Sequence, residues 1–232
     1  MPTLKRTPPL SDAKPSSNRQ RIIDHGEVFT PPGLVNDMLD LVQHECERIE
    51  SRFLEPACGD GNFLTEVLRR KLATVNKRNA KSRDRWQRDA VIAVTSLYGI
   101  DLLGDNVAAC RERLRVVVDE AHQATFGEPL PEAVTAAIAF ILTLNVVQGD
   151  ALSFLSADGG PIVFPEWSPV NGQMLKRRDF RFDHLLEHQR MKSLPLFSDL
   201  GEEVCLPEPV RDYRACHYLQ VADAIPDEGG TK

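Results

Sequence analysis

The stretch Arg52-Phe53-Leu54-Glu55-Pro56-Ala57-Cys58-Gly59-Asp60-Gly61-Asn62-Phe63-Leu64 decides the fold of this chain. Arg52 to Glu55 reads as a short β-strand that stops at Pro56. Cys58-Gly59-Asp60-Gly61 is a tight turn. Behind it, Phe63, Leu64, Val67, Leu68, Leu72 and Val75 recur at spacings of three and four, the stripe of an amphipathic helix. Strand, Gly-x-Gly turn and helix start together bring backbone N–H groups and glycine-thin backbone to the carboxyl edge of a sheet. Open α/β sheets bind nucleotides at that edge. The dinucleotide fingerprint asks for a third glycine three residues after Gly61, and Leu64 stands there, which disfavours a nicotinamide or flavin cofactor. A bare Gly-x-Gly turn fits a plain strand–helix connection as well as it fits a ligand.

Outward from this stretch the chain alternates. Pro31-Pro32 starts a helical pattern with Leu34, Val35, Met38, Leu41 and Val42 on one face and Thr30 as its cap. Val91–Ile100 is apolar, and its end, Leu97-Tyr98-Gly99-Ile100-Asp101, reads as a second strand. A helix over about Asn106–Thr125 is stopped by Gly127 and Pro129. An Ala-rich helix over Glu132–Leu142 leads into a third strand, Asn145–Gln148, ending at Gly149-Asp150. Pro161–Phe164 is a candidate fourth strand. Strands alternating with helices imply βαβ units and a parallel sheet with helices on both faces. After Trp167 the alternation fades. The division expected is a flexible arm over 1–20, one α/β domain over 21–192 and an acidic, Pro-rich extension over 193–232.

Composition sets the frame. The chain has 232 residues, enough for one large domain, with 42% hydrophobic and 27% charged residues, so a wholly disordered or fibrous chain is excluded. No apolar run reaches the ~18 residues of a membrane span. The first residues lack an apolar signal-peptide core. Five cysteines at unpatterned spacings (Cys46, Cys58, Cys110, Cys205, Cys216) then read as reduced thiols, and the expected location is cytoplasmic.

A net charge of −6 argues mildly against indiscriminate nucleic-acid binding, but the charge is partitioned. Arg69–Arg88 holds nine basic residues and one acid, whereas Leu194–Lys232 holds eight acids and three bases. Candidate DNA-contacting residues are Arg69, Arg70, Lys77, Arg78 and Arg85, with Trp86 to stack, and a weaker patch of Lys176, Arg177 and Arg178 beside Arg181. The ordinary alternative is a solvated helix end and loop. Cys205 and Cys216-His217 lack zinc-site spacing, so no metal is expected.

Two further strand ends carry acids. In doubly wound sheets a carboxylate such as Asp101 accepts hydrogen bonds from ribose hydroxyls. Gln148-Gly149-Asp150-Ala151-Leu152 repeats the pattern at the third strand. Three such ends in order say far more than any one.

At this point the residues resemble a family. Glu55–Leu64 resembles the cofactor motif of S-adenosylmethionine-dependent DNA methyltransferases of the adenine-N6 type, associated with bacterial restriction–modification. Gly26-Glu27-Val28-Phe29-Thr30-Pro31-Pro32 resembles the segment that precedes this motif. Tyr98–Leu102 and Gly149–Leu152 resemble the ribose- and adenine-binding motifs. The likeness spans about Arg21 to Leu152, with four motifs in family order. It implies a Rossmann-like methyltransferase core, incomplete at its C-terminal side, with S-adenosylmethionine as cofactor and DNA as partner. Phe29 and Thr30 would then flank the cofactor's methionine and sulfonium end. Glu55, Ala57, Gly59 and Gly61 would line the methionine moiety. Asp101 would bind the ribose, and Leu102 would pack on the adenine. Asp150 would accept from the adenine amino group, with Ala151 and Phe63 adding contact.

The family's catalytic tetrapeptide is Asp, Asn or Ser, then Pro-Pro, then an aromatic residue that stacks on the flipped base. It is absent from the sequence. Thr30-Pro31-Pro32-Gly33 comes too early and lacks the aromatic, and Ser168-Pro169-Val170-Asn171 matches only its first half. Phe182-Asp183-His184-Leu185-Leu186 resembles the strand leading into the motif, yet His188-Gln189-Arg190-Met191 follows. The expectation is therefore a methyltransferase-like protein or, alternatively, an inactive cofactor-binding subunit. The latter would rely on a partner chain for catalysis and DNA recognition. A small-molecule methyltransferase fits the acidic balance but not Phe29-Thr30-Pro31.

Overall fold

A computed structural model describes residues 30–192 and 207–227, without the side chains of 188–192. Helix α1 (Pro32–Asp40) begins at its tandem prolines, whose fixed φ suits a first helical turn. Pro31 takes the capping position and no side chain caps, so Thr30 does not act as the cap the sequence suggested. Only Val35 of the expected face is buried, together with Leu39. The helix ends at Asp40 before Leu41 and Val42 can join its stripe, and these, with Leu34 and Met38, remain exposed. Helix α2 (Gln43–Glu47) follows.

Strand β1 (Phe53–Glu55) and helix α3 (Asn62–Asn79) form as the sequence predicts, with Leu64, Val67, Leu68, Leu72 and Val75 buried. The end of the basic stretch and the apolar residues after it form helix α4 (Arg83–Thr95), an element the sequence reading does not assign. Its residues from Ala90 to Thr95 are all buried, so packing overrides the β preference of Val91, Ile92 and Val94. Strand β2 (Leu97–Asp101), helix α5 (Gly104–Phe126, ended by Gly127 at φ 77°), helix α6 (Glu132–Asn145) and strand β3 (Val146–Asp150) complete the alternation.

The strands pair in the order β1-β2-β3, all parallel, and a two-residue β4 (Leu155–Ser156) adds antiparallel to β3. The chain is thus α/β with a mixed sheet of mainly parallel strands. Period-two alternation assigns the faces. Leu97 and Val146 face a core built by α3, α4, α5 and α6. Tyr98, Ile100 and Val147 face a second cluster with Ile162, Phe164 and Phe182.

That second face corrects two expectations. Pro161–Phe164 is not a fourth parallel strand. It leads into β5 (Val163–Pro169), which pairs antiparallel with β6 (Met174–Arg181) in a separate sheet. Ser168-Pro169-Val170-Asn171 is the end of β5 and its hairpin turn, and Gly172 takes φ 59° there. Residues 182–186, read above as a strand, open helix α7 (Phe182–Lys192). The second face is therefore covered by a hairpin and α7 rather than by a crossover helix.

Asn145 ties the two sheets. Its Nδ2 donates to the carbonyls of Thr95 and Leu97 (3.1 and 3.0 Å), while its Oδ1 accepts from Trp167 Nε1 at 2.9 Å. Part of the C-terminal extension is built into the same body. Strands β7 (Arg211–Asp212) and β8 (Cys216–His217) pair with β6, and Tyr218 and Val221 of a short 3₁₀ segment are buried in the main core. No helix among the described residues is long and apolar enough to cross a membrane.

Candidate functional site

The Cys58–Gly61 turn is held from four directions. Cys58 N–H donates to Ile100 O, and Gly61 N–H to Cys58 O, both at 2.9 Å. Gly59 and Gly61 sit at φ 53° and 90°, backbone that a β-carbon disfavours. A β-carbon at Gly61 would lie 2.6 Å from Cys110 Sγ, so here glycine is also the condition for α5 to approach the turn. Gly59 N–H donates to Asp101 Oδ2 at 2.9 Å. Arg113, from α5, donates through Nη1 to Asp60 O (3.0 Å), pairs with Asp60 Oδ2 (2.7 Å), and donates through Nη2 to Asn62 Oδ1 (2.9 Å). Asp60 Oδ1 is buried without a hydrogen-bond partner.

Behind the turn the buried thiols of Cys58 and Cys110 are hydrogen-bonded to each other. That bond and burial push Cys58 well above the usual thiol range, which makes it an unreactive wall.

The structure brings together most of the residues the sequence singled out. Parallel pairing puts the ends of β1, β2 and β3 on one edge, and with them Glu55, Ala57, Gly59, Gly61, Asp101, Leu102, Asp150 and Ala151. Phe63, the second residue of α3, packs half-buried against the helical core. Thr30 is half-buried ahead of α1. Phe29 lies outside the described residues. Ala57 is exposed and Leu102 is 56% exposed, so the edge presents apolar surface to solvent.

The carboxylates differ in environment. Burial raises the pKa of Glu55, partly offset by a hydrogen bond from the Ala57 backbone, and no cation pairs with it among the described residues. Asp150 is held below its usual range by the Leu152 N–H and by Ser153. Asp101 is more committed than expected. Besides Gly59 N–H it accepts from Leu103 N–H (2.9 Å) and Asn106 Nδ2 (3.2 Å), both on Oδ1. Oδ2 keeps one lone pair for a further donor. Sequence reasoning missed Arg113 and Gln148. The latter's Nε2 donates to Leu102 O at 3.0 Å and sets the loop that carries Leu102. Neither belongs to a local motif, and only the α5–turn and β3–β2 contacts reveal them.

The basic candidates do not join this edge. Helix α3 starts at the turn and runs back along the sheet. Lys77 is sixteen residues from Gly61, about 24 Å at the α-helical rise. Lys77, Arg78 and Arg85 are exposed at that far end. Arg69 pairs with Glu66, and Arg70 is tied to Asp40, Glu66 and Asn36. Trp86 is fully buried, donating to Asn76 Oδ1 at 2.8 Å and packing edge-on against His122 and Phe126, so it cannot stack on a base. Lys176, Arg177 and Arg178 each face a carboxylate: Asp212, Asp179 and Glu166 respectively. Arg177 also stacks over Tyr213 at 4.3 Å and is part of the packing.

A cavity of about 460 Å³ lies elsewhere. It runs beside β1 between Leu54, Tyr98, Phe164, Phe180 and Phe182. Among the described residues no group of three or more His, Cys, Asp or Glu side chains could hold a metal ion. Comparison of the chain with protein-family models, with curated proteins and with solved structures finds no match.

Proposed function

We propose that this chain binds S-adenosylmethionine at the carboxyl edge of its parallel sheet and is a DNA methyltransferase-like protein of Rossmann-like fold. The observation that carries the reading is the meeting of three strand ends at one edge: the Gly59-Asp60-Gly61 turn after β1, Asp101 at β2 and Asp150 at β3. The residues present fit the group. Half-buried Gly59 leaves the turn without a side chain, Asp101 Oδ2 retains an acceptor site for a ribose hydroxyl, and exposed Leu102 offers an apolar face for an adenine ring. The cofactor, when bound, would supply the methyl group. This chain's residues would bind and orient it.

Catalysis is assigned to a partner chain. The sequence has no Asp/Asn/Ser-Pro-Pro-aromatic tetrapeptide, and residues 182–192, where one alignment would lead into it, are helical. A base pulled from DNA would have no such stacking ring to receive it.

Titration calorimetry tests the binding. Saturable heat with S-adenosylmethionine is expected, weakened by about 1–3 kcal/mol in Asp101→Ala, the range for a lost hydrogen bond at a partly buried site. No heat would sink the proposal. Tritium transfer from labelled cofactor to DNA by the isolated chain would sink the assignment of catalysis to a partner.

A further inference from the structure

We propose that the open edge of β1, with the groove beside it, binds an extended strand of a partner protein that carries apolar residues and a carboxylate. Three separate observations converge on that occupant.

First, β1 pairs with β2 alone among the described residues. Phe53 N–H donates to Ser96 O, which turns Phe53 and Glu55 toward β2 and leaves the N–H and C=O of Leu54 directed to the other side. Parallel strands are ordinarily interior to their sheet, and doubly wound sheets extend on both sides of the strand that bears the nucleotide turn. Among the described residues the sheet extends on one side of β1 only.

Second, the groove along that edge is apolar. Leu54, 41% exposed, and the rings of Tyr98, Phe164, Phe180 and Phe182 line about 460 Å³, room for more than one side chain of an added strand.

Third, the rim is charged unequally. Glu166 sits between Arg52 (2.6 Å) and Arg178 (2.5 Å), two guanidiniums for one carboxylate. An acidic residue in the partner would complete the balance. A fatty acid or other apolar anion would satisfy the second and third observations but would make no use of the main chain of Leu54, so the strand is the better fit.

Although Leu54 adjoins Glu55 of the cofactor edge, none of the groove's lining residues is a cofactor candidate, and S-adenosylmethionine titrations on the same protein report that reading independently. The test is fluorescence anisotropy of the full chain with a labelled peptide of about ten residues, the upper length of an ordinary strand, alternating Val and Thr with one central Asp. Saturable binding is expected. Methylating the peptide nitrogen that faces Leu54 should weaken it about tenfold, as should replacing the Asp by Asn, each removing one charge-assisted or main-chain bond. Leu54→Asp and Arg52→Ala, with circular dichroism confirming the fold, should do the same. Absence of saturable binding, or equal binding of the N-methylated peptide, overturns the proposal. Full displacement by dodecanoate together with indifference to N-methylation would assign the groove to small amphiphiles instead. The N-methyl comparison uses the unaltered protein, so it decides even if a variant misfolds.

Discussion

At the carboxyl end of the parallel sheet, β1, β2 and β3 end in Glu55, Asp101 and Asp150, and the glycine turn leads into α3. At the amino end the same helix delivers Lys71, Lys77 and Arg78. Both ends complement the helix dipole, positive at the first turn and negative at the last, which gives Lys77 and Arg78 in the last turn an ordinary electrostatic reason to be where they are. The charge partition visible along the chain is therefore a partition in space. A ligand held at the glycine turn does not reach the exposed cations, and a phosphate backbone lying on Lys77, Arg78 and Arg85 does not reach the turn.

The two ends also treat burial differently. The turn end keeps its charged groups partly wet and hydrogen-bonded. At the amino end Lys71 is fully buried, and its ammonium donates to the carbonyls of Arg48 (3.0 Å), Ile49 (3.1 Å) and Ser51 (2.5 Å) beside the ring of Phe53. Those carbonyls stand in for water around a cation that pairs with no carboxylate among the described residues. Burial lowers its pKa to about 8.

The contrast can be tested at both ends. The largest effect is expected from Gly61→Ala. Left-handed strain and a clash with Cys110 together should cost about 2–5 kcal/mol, read as a melting temperature lower by roughly 2–4 °C per kcal/mol. Gly33→Ala, which meets nothing within 4 Å, is the control and should change stability little. A loss under about 1 kcal/mol at Gly61 would show that the turn does not need its close contact with α5.

Next comes the amino end. Between pH 8 and 10.5 folded Lys71 releases its proton before the unfolded chain does, so the unfolded state binds more protons and stability rises with pH. The burial cost is fully present below about pH 8 and relieved above 10.5, a difference of order 3 kcal/mol. Denaturant titrations of wild type and Lys71→Met across this window should therefore diverge in slope, the variant lacking the rise. Parallel curves would refute the assignment.

A smaller effect is expected from Gln148→Ala. Losing its bond to Leu102 O should weaken S-adenosylmethionine binding by about 1 kcal/mol while leaving the melting temperature nearly unchanged. An unaltered affinity would detach that loop from the site. The smallest effect belongs to Lys77→Glu, Arg78→Glu and Arg85→Glu combined, which should shift cofactor affinity by less than about 0.5 kcal/mol. A larger loss would contradict the separation of the two ends.

Five elements between Phe53 and Asp150 were legible because their signals are local. Proline at a strand end, glycine in a turn and a three–four apolar stripe fixed β1, α3, β2, α5 and β3 to within a few residues. The acids at three strand ends were legible for the same reason. What failed depended on distant partners. Val91–Thr95 looks β-branched in isolation and becomes helix because α3 and α6 surround it. Trp86 looks available beside so many arginines, yet Asn76, His122 and Phe126 enclose it. The 163–181 hairpin carries its own Asn171-Gly172 turn signal, which matching Ser168–Asn171 to the catalytic tetrapeptide passes over, and its Lys176-Arg177-Arg178 run reads as a surface patch until the facing carboxylates of Asp212, Asp179 and Glu166 are known. Arg113, the grip on the turn, lies about fifty residues from it in sequence and belongs to no motif.

Asn145 carries a consequence for how the molecule assembles. Its amide spends both donors on the α4–β2 junction and its carbonyl oxygen on the Trp167 indole. Before the hairpin arrives, the first half can already satisfy the amide hydrogens but leaves one acceptor waiting. After it arrives, every polar atom of the side chain is used. The residue thus couples the two sheets: docking of the hairpin closes a bond that nothing else among the described residues supplies.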